Sequence, residues 1–150
     1  MRKGEYKEEN KMKIILVSGG FDPLHVGHVR LFKEARKLGQ ELVVLINNDN
    51  WLKKKKGYNF MEEQDRKEII EHLDMVDEVI ISNHEPNTED MSICEDIKKI
   101  MPDVFANGGD RSQTNIPEKE MCAELGIELV DNVGGDKIRS AQELVKNAHR

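Results

Sequence analysis

The sequence predicts an α/β domain with one doubly wound parallel sheet of five strands and helices on both faces. Short apolar runs of four to six residues alternate with helical patterns of nine to twelve residues. The runs are rich in β-branched residues and lack polar alternation, as strands buried on both faces require. Strands that alternate with helices imply right-handed crossovers, and hence a Rossmann-like sheet between two helix layers.

The predicted elements follow in order along the chain. Strands are predicted at 13–18, 41–46, 78–82, 103–106 and 128–130. Helices are predicted at about 27–38, 62–73, 93–101, 117–125 and 140–147. Apolar residues recur at helical spacing in these segments, and Gly39 and Pro102 mark helix ends. The lysine-rich segment Trp51–Phe60 is interpreted as a loop, since four like charges in a row are typical of a solvated segment.

The chain has 150 residues without an internal repeat or long linker, which suits a single domain. Residues 1–12 mix both charges without apolar periodicity, so we interpret them as a flexible leader and 13–150 as the domain. Hydrophobic residues make up 37% and charged residues 35%, a globular balance rather than a disordered one.

The net charge, the hydrophobic pattern and the cysteine spacing argue against nucleic-acid partners, membrane insertion and an oxidising compartment. The net charge of −6 disfavours a general nucleic-acid surface. No apolar run approaches the ~20 residues that a membrane helix needs, and no signal peptide precedes the first strand. Cys94 and Cys122 show no CxxC spacing and are interpreted as reduced thiols. We therefore expect a cytoplasmic protein with neither nucleic-acid nor membrane partners.

The segment after the first strand carries the clearest chemical signal. Ligands bind beyond the carboxyl ends of parallel strands, and Gly19–His28 (GGFDPLHVGH) lies at such an end. His25 and His28 flank Gly27, so both imidazoles can face one point at a helix start. Two imidazoles there can bind phosphate and stabilise charge on a transferred phosphoryl group. The alternative is one capping and one packed histidine, which this dense motif disfavours.

These residues resemble the HxGH nucleotidylyltransferases, and more closely their cytidylyltransferase-like family. The similarity covers about residues 13–145, through the segments 19–28, 64–66 (QDR), 102–110 (PDVFANGGD) and 136–140 (DKIRS). It implies transfer of a nucleoside monophosphate from CTP or ATP to a phosphorylated small molecule, a sugar or polyol phosphate. Pyrophosphate is released. It also implies Mg²⁺ as cofactor and a homodimer.

The resemblance assigns roles residue by residue. The implied catalytic residues are His25, His28, Lys53 and Lys56. The implied nucleotide contacts are Gly19, Gly20, Phe21, Asp22, Gly27, Gly109, Asp110, Lys137, Arg139 and Ser140. The implied acceptor contacts are Arg66, Trp51 and Arg111. No protein side chain is assigned as a metal ligand.

Each assignment has a structural alternative. Arg66 could be a surface ion-pair partner, Trp51 could pack its loop down, and Ser140 could be a simple helix cap. Arg111 stands where several family members have an aromatic or acidic residue. The segment DKIRS also departs from the family's Arg-x-x-Gly-Ile-Ser/Thr-Thr pattern. Both departures leave the choice between CTP and ATP open.

Two other functions compete with nucleotidyl transfer. A nucleotide-binding sensor of the same fold could have lost turnover, although such a protein has no need of both histidines. A dinucleotide-dependent oxidoreductase is disfavoured, because the turn after the first strand reads GGFDPLHVG instead of GxGxxG.

Overall fold

The computed structural model describes residues 12–109, 116–135 and 145–146. These residues form the strands β1 (Ile14–Gly19), β2 (Glu41–Ile46), β3 (Glu78–Ile81), β4 (Val104–Ala106) and β5 (Glu128–Val130). They also form the helices α1 (Val26–Arg36), α2 (Asp49–Lys56), α3 (Glu63–Glu71), α4 (Cys94–Ile100) and α5 (Ile116–Leu125). The predicted strands and helices are confirmed within one or two residues, apart from α2 and the C-terminal helix.

The five strands make one parallel sheet in the order β3-β2-β1-β4-β5. The predicted fold class is thereby confirmed. The chain builds outward from β1 in one direction and then returns to the other side, so strand order reverses between β1 and β4. A crevice forms at such a reversal, beyond the carboxyl ends of the strands.

Both faces of the sheet are covered by apolar contacts. On one face Ile15 and Val17 of β1 join a core with Phe32 of α1 and Ile70 of α3. On the other face the alternate residue Leu16 packs in a core that includes α4 and α5. Ile15, Leu16 and Val17 are all fully buried, which explains why β1 shows no polar alternation.

The prediction of a loop at Trp51–Phe60 is wrong, because residues up to Lys56 belong to α2. Asn48 caps its start, with the side chain Oδ1 accepting from the Trp51 amide at 2.9 Å. Gly57 ends it in the left-handed conformation at φ 89°. Leu52 is fully buried and holds the helix against the domain. Lysine is a good helix former, so the charge run itself did not oppose a helix.

Two predicted segments lie outside the described residues. They are residues 1–11 of the leader and most of the final helix at 140–147, where only 145–146 are described and are helical. Within the described ranges, none of the helices combines the length and apolar character needed to cross a membrane.

Candidate active site

The histidine turn, His25–His28, forms the start of α1. His25 is the N-cap residue, and its Nδ1 accepts from the Gly27 amide at 3.1 Å. The His25 amide in turn donates to Nδ1 of His28, also at 3.1 Å. The two rings stack with centroids 3.9 Å apart. Because both Nδ1 atoms accept hydrogen bonds, the proton of each neutral ring resides on Nε2, the donor that a phosphate oxygen requires.

Gly27 has a steric reason to be glycine. An added Cβ would lie 2.9 Å from Cε1 of His25, too close for the capping ring to keep its place. Gly20 is likewise approached by protein, since its Cβ would lie 3.0 Å from Cδ2 of Leu52. Gly19 is buried at the end of β1, and its carbonyl accepts from the Asn47 amide at 2.9 Å. These three of the four predicted nucleotide-binding glycines therefore each meet a demand of the fold.

The side chain of Phe21, which was predicted as a nucleotide contact, is buried in the core. Its ring is 4% exposed and meets the His28 ring edge-on at 4.9 Å and the Phe32 ring at 5.2 Å. A buried ring in these contacts supports the His28 imidazole from the core side. The backbone of Phe21 adopts φ 51°, which turns the chain sharply after β1.

Asp22, another predicted nucleotide contact, binds main-chain groups of the fold. Its side chain is fully buried, and its two carboxylate oxygens accept from the amides of Phe60 and Met61. Those amides belong to the segment Gly57–Glu62 between α2 and α3, which we name the 57–62 loop. A buried carboxylate needs such partners to offset lost hydration. Asp22 thereby fixes this loop beside the histidine turn.

Arg66 on α3, which was predicted to contact the acceptor, also positions the 57–62 loop. The side chain is 1% exposed. Within the described residues, its guanidinium donates to the carbonyls of Gly20 and Asn47 at 2.7 Å each, and to that of Met61 at 3.0 Å. Asp49 Oδ1 accepts a further bond at 2.7 Å. Arg66 therefore joins the ends of β1 and β2 to the 57–62 loop, with little of its fork left for a substrate.

Lys56 is the lysine of α2 that turns toward the histidine turn. Its Nζ lies 3.3 Å from the carbonyl of Asp22 and 5.9 Å from the ring centroid of Tyr58. Burial lowers the pKa of Lys56, the Asp22 carboxylate opposes that shift, and the Arg66 guanidinium adds to it. A half-buried ammonium in contact with the segment that leads into the histidine turn is suited to hold phosphate oxygens.

The other lysines of α2 diverge around the helix. Lys53, the second lysine predicted as catalytic, is exposed. Lys54 donates to Oδ1 of Asn87 at 2.9 Å, and Lys55 lies over the Trp51 ring at 5.6 Å. Because a helix rotates about 100° per residue, adjacent lysines point in different directions, whereas Lys53 and Lys56, three residues apart, lie on one side of α2.

Trp51, predicted to contact the acceptor, holds the segment after β3 in place. Its Nε1 donates to the carbonyl of Met91 at 2.8 Å, and the ring lies under Lys55. Of the two interpretations left open by the sequence, packing of the surrounding chain is therefore the one that its contacts support.

The end of β3 contains a hydrogen-bonded cluster that the sequence reading missed. His84 Nδ1 lies 2.8 Å from Ser82 Oγ, and its Nε2 lies 2.9 Å from the Ser92 carbonyl. The His84 carbonyl accepts from the side-chain amides of Asn48 and Asn50 at 2.9 Å each. The sequence signal for it is the polar string Ser82–Pro86 directly after the strand. This cluster connects β3 to the start of α2.

The β4 and β5 side of the crevice is partly described. Asn107, directly after β4, is buried and donates from Nδ2 to Oδ1 of Asp131 at 3.2 Å. Gly109 is exposed. The remaining predicted ligand contacts, Asp110, Arg111, Lys137, Arg139 and Ser140, lie outside the described residues.

Comparison with known proteins decides the family. The model of the family described as cytidylyltransferase-like matches residues 16–144. The chain belongs to this family. The predicted family and the prediction of an enzyme are thereby confirmed, and this cytidylyltransferase-like protein is a nucleotidyltransferase.

Its relatives include two kinds of curated protein. An FAD synthase of Thermococcus kodakarensis is 42% identical over 122 residues, which cover 80% of this chain and 78% of that protein. The bifunctional protein HldE of Pelobacter propionicus is 32% identical over 145 residues, or 94% of this chain. The chain spans only 28% of that second protein's length.

A solved structure supports the same assignment. The lipopolysaccharide core biosynthesis protein of Thermoplasma volcanium has a TM-score of 0.69 and 27% identity. The match covers 85% of this cytidylyltransferase-like chain and 99% of that structure. The two proteins thus share the whole doubly wound domain.

Proposed function

We propose that this enzyme transfers AMP from ATP to the phosphate of FMN, forming FAD and releasing pyrophosphate. The observation that carries the choice of substrates is the 42% identity to an FAD synthase over 80% of the chain. In the proposed reaction an FMN phosphate oxygen attacks the α-phosphorus of ATP in line. The new P–O bond forms as the bond from the α-phosphorus to the bridging oxygen breaks, and that oxygen leaves with pyrophosphate.

The histidine turn supplies the proposed charge stabilisation. Nε2 of His25 and of His28 would donate to oxygens of the transferred phosphoryl group as negative charge builds there. Lys56 would add an ammonium from the α2 side, where its Nζ already lies 3.3 Å from the Asp22 carbonyl. Asp22 and Arg66 act through position, since they hold the loops that carry these groups.

Mg²⁺ belongs to the proposal as the partner of the triphosphate. Phosphate oxygens bind Mg²⁺ well, and the ion neutralises charge that would repel a second anion. The residues around the histidine turn fit an ion that arrives on the nucleotide, because the Asp22 carboxylate there is already bonded to two amides. Within residues 12–109, 116–135 and 145–146, no three His, Cys, Asp or Glu side chains form a metal-binding group.

A second candidate acceptor is a heptose phosphate, again with ATP. The match to the HldE protein of Pelobacter propionicus, which extends over 94% of this chain, favours it. A polyol phosphate with CTP, the other pair that the sequence left open, is supported only by the family resemblance.

The test is a screen of substrates with product detection. ATP, CTP, GTP and UTP are each paired with FMN, heptose 1-phosphate and glycerol 3-phosphate, with Mg²⁺ and with EDTA. Pyrophosphate release and the dinucleotide product are measured. We expect FAD from ATP and FMN, and loss of turnover in EDTA. Turnover with heptose phosphate and none with FMN would contradict the FMN proposal and support a heptose phosphate as the acceptor.

We also propose a homodimer, on the family resemblance alone. Light scattering at micromolar concentration would then give twice the mass of one chain. A mass equal to one chain would contradict it.

A further inference from the structure

The 57–62 loop exposes two aromatic side chains. Tyr58 is 38% and Phe60 is 51% exposed. The phenylalanines elsewhere in the described part of the chain, Phe21, Phe32 and Phe105, are at most 4% exposed. A single exposed apolar residue is ordinary on a protein surface. Packing of the core does not account for two exposed aromatic rings on one short loop near the histidine turn.

The loop that carries them is held in place by buried groups. Asp22 accepts from the amides of Phe60 and Met61, and Arg66 Nε donates to the Met61 carbonyl at 3.0 Å. Gly57 closes α2 just before Tyr58. Both the buried carboxylate and the buried guanidinium thus fix the backbone of a loop whose aromatic side chains remain accessible. This arrangement presents the rings without an ordering cost at the moment of binding.

The 57–62 loop also lies on a side of the proposed catalytic centre from which a second substrate can approach. Strand order reverses between β1 and β4, and the crevice at that reversal is the expected place for a nucleotide. The 57–62 loop follows α2 and thus β2, the other neighbour of β1. Lys56 connects the two regions, because its Nζ lies 3.3 Å from the Asp22 carbonyl and 5.9 Å from the Tyr58 ring. A second substrate can therefore reach the histidine turn from this side.

We propose that Tyr58 and Phe60 determine acceptor specificity by packing against the planar ring system of an aromatic acceptor. The inference rests on the proposed function and deepens it: the acceptor's phosphate lies toward Lys56 and the histidine turn, and its ring system lies on the 57–62 loop. Aromatic stacking stabilises a planar ring but gives little to a sugar phosphate. The loop therefore favours a flavin phosphate over a heptose phosphate.

The experiment compares the double variant Tyr58→Ala/Phe60→Ala with the control Ile69→Ala. Ile69, on α3, is 43% exposed and offers a similar loss of apolar surface. We expect the double variant to raise KM for FMN about tenfold or more, the size of one stacking contact, with KM for ATP changed less than about threefold. Ile69→Ala should leave both constants unchanged. Binding of FMN alone, followed by flavin fluorescence anisotropy, should weaken by the same factor.

A conservative pair of variants separates stacking from a folding effect. Tyr58→Phe and Phe60→Tyr keep the rings, so both should retain the KM for FMN of the unmodified protein. If the unmodified protein makes FAD and the double variant keeps its KM for FMN, the inference fails while the proposed function stands. If the unmodified protein makes no FAD, both fail. A change of oligomeric mass with unchanged KM would assign the two rings to an interface between copies, and would overturn the inference.

Discussion

The histidine turn and the pair of buried charges, Asp22 and Arg66, lie side by side but are built in opposite ways. His25 and His28 are half-buried, and hydrogen bonds to groups two or three residues away orient their rings. Arg66 reaches partners up to 46 residues away, and the amides bound by Asp22 are 38 and 39 residues distant. Both groups lie in segments that resemble family motifs.

This difference separates two kinds of residue within one candidate active site. Each histidine uses Nδ1 as a hydrogen-bond acceptor that fixes its ring within the turn. Asp22 and Arg66 direct their polar atoms chiefly to main-chain groups, so their contribution is the placement of loops. A substitution in the histidine turn should therefore affect the reaction, and one in the buried pair should affect the fold.

The largest effect is expected from Arg66→Ala. The change removes the buried guanidinium that donates to three carbonyls and to Asp49, so the free energy of unfolding should fall by about 3–5 kcal/mol in urea denaturation. Arg36 offers a matched control, since its pair with Asp77 at 3.1 Å is partly exposed. Arg36→Ala should cost less than about 1 kcal/mol. Equal losses of unfolding free energy in both variants would show that the hydrogen bonds of Arg66 stabilise the fold no more than a partly exposed ion pair does. If Arg66→Ala does not fold, Arg66→Lys provides the comparison.

His28→Ala should affect chemistry and leave the fold largely intact. Removing one donor to the developing charge should lower kcat by roughly 10²-fold or more. Circular dichroism should show a folded protein. The control is His72→Ala, because His72 is at the exposed end of α3 and its Nδ1 lies 2.8 Å from the Glu68 carbonyl of the same helix. Unchanged kcat in His28→Ala and in His25→Ala would remove both histidines from catalysis.

Gly27→Ala tests whether the turn itself positions the rings. The added methyl would lie 2.9 Å from Cε1 of His25, so the capping ring must move. We expect kcat/KM to fall about tenfold through misplacement and the free energy of unfolding to drop by about 1 kcal/mol through the lost cap. Gly108→Ala is the stability control, because a Cβ there meets no atom within 4 Å. If Gly27→Ala keeps the kcat/KM of the unmodified protein, the reaction tolerates a displaced His25 ring.

The smallest expected effect is a change in pH dependence at Lys56. Burial lowers the pKa of this ammonium, so it loses its proton at a lower pH than an ordinary lysine. The alkaline decline of kcat/KM, which reports the free enzyme, should begin below the ordinary lysine pKa of 10.5. Lys56→Arg keeps its charge at high pH and should move the decline upward, whereas Lys53→Arg should not. An unchanged profile in Lys56→Arg would exclude Lys56 from the catalytic centre.

The same contrast, between residues that depend on near sequence neighbours and residues that depend on distant ones, explains what could and could not be predicted from the sequence. β1 and β2 were predicted to within a residue because a strand buried on both faces is apolar throughout its own length. The histidine turn was predicted because its geometry depends on four consecutive residues. α2 was missed although Asn48 and Gly57, its local cap signals, stand in the sequence, because the run of lysines was given more weight than the caps.

The sequence by itself determined the α/β class, the five strands and the pair of histidines at the start of α1, since each depends on contacts within a few residues or on continuous apolar character. The tertiary structure alone decided that Asp22 and Arg66 are buried, that Trp51 binds the Met91 carbonyl, and that Lys56 among four lysines contacts the Asp22 carbonyl. The reason is physical. A charged or polar side chain is buried only where distant main-chain groups satisfy it, and those groups come together only when the strands assemble into the sheet.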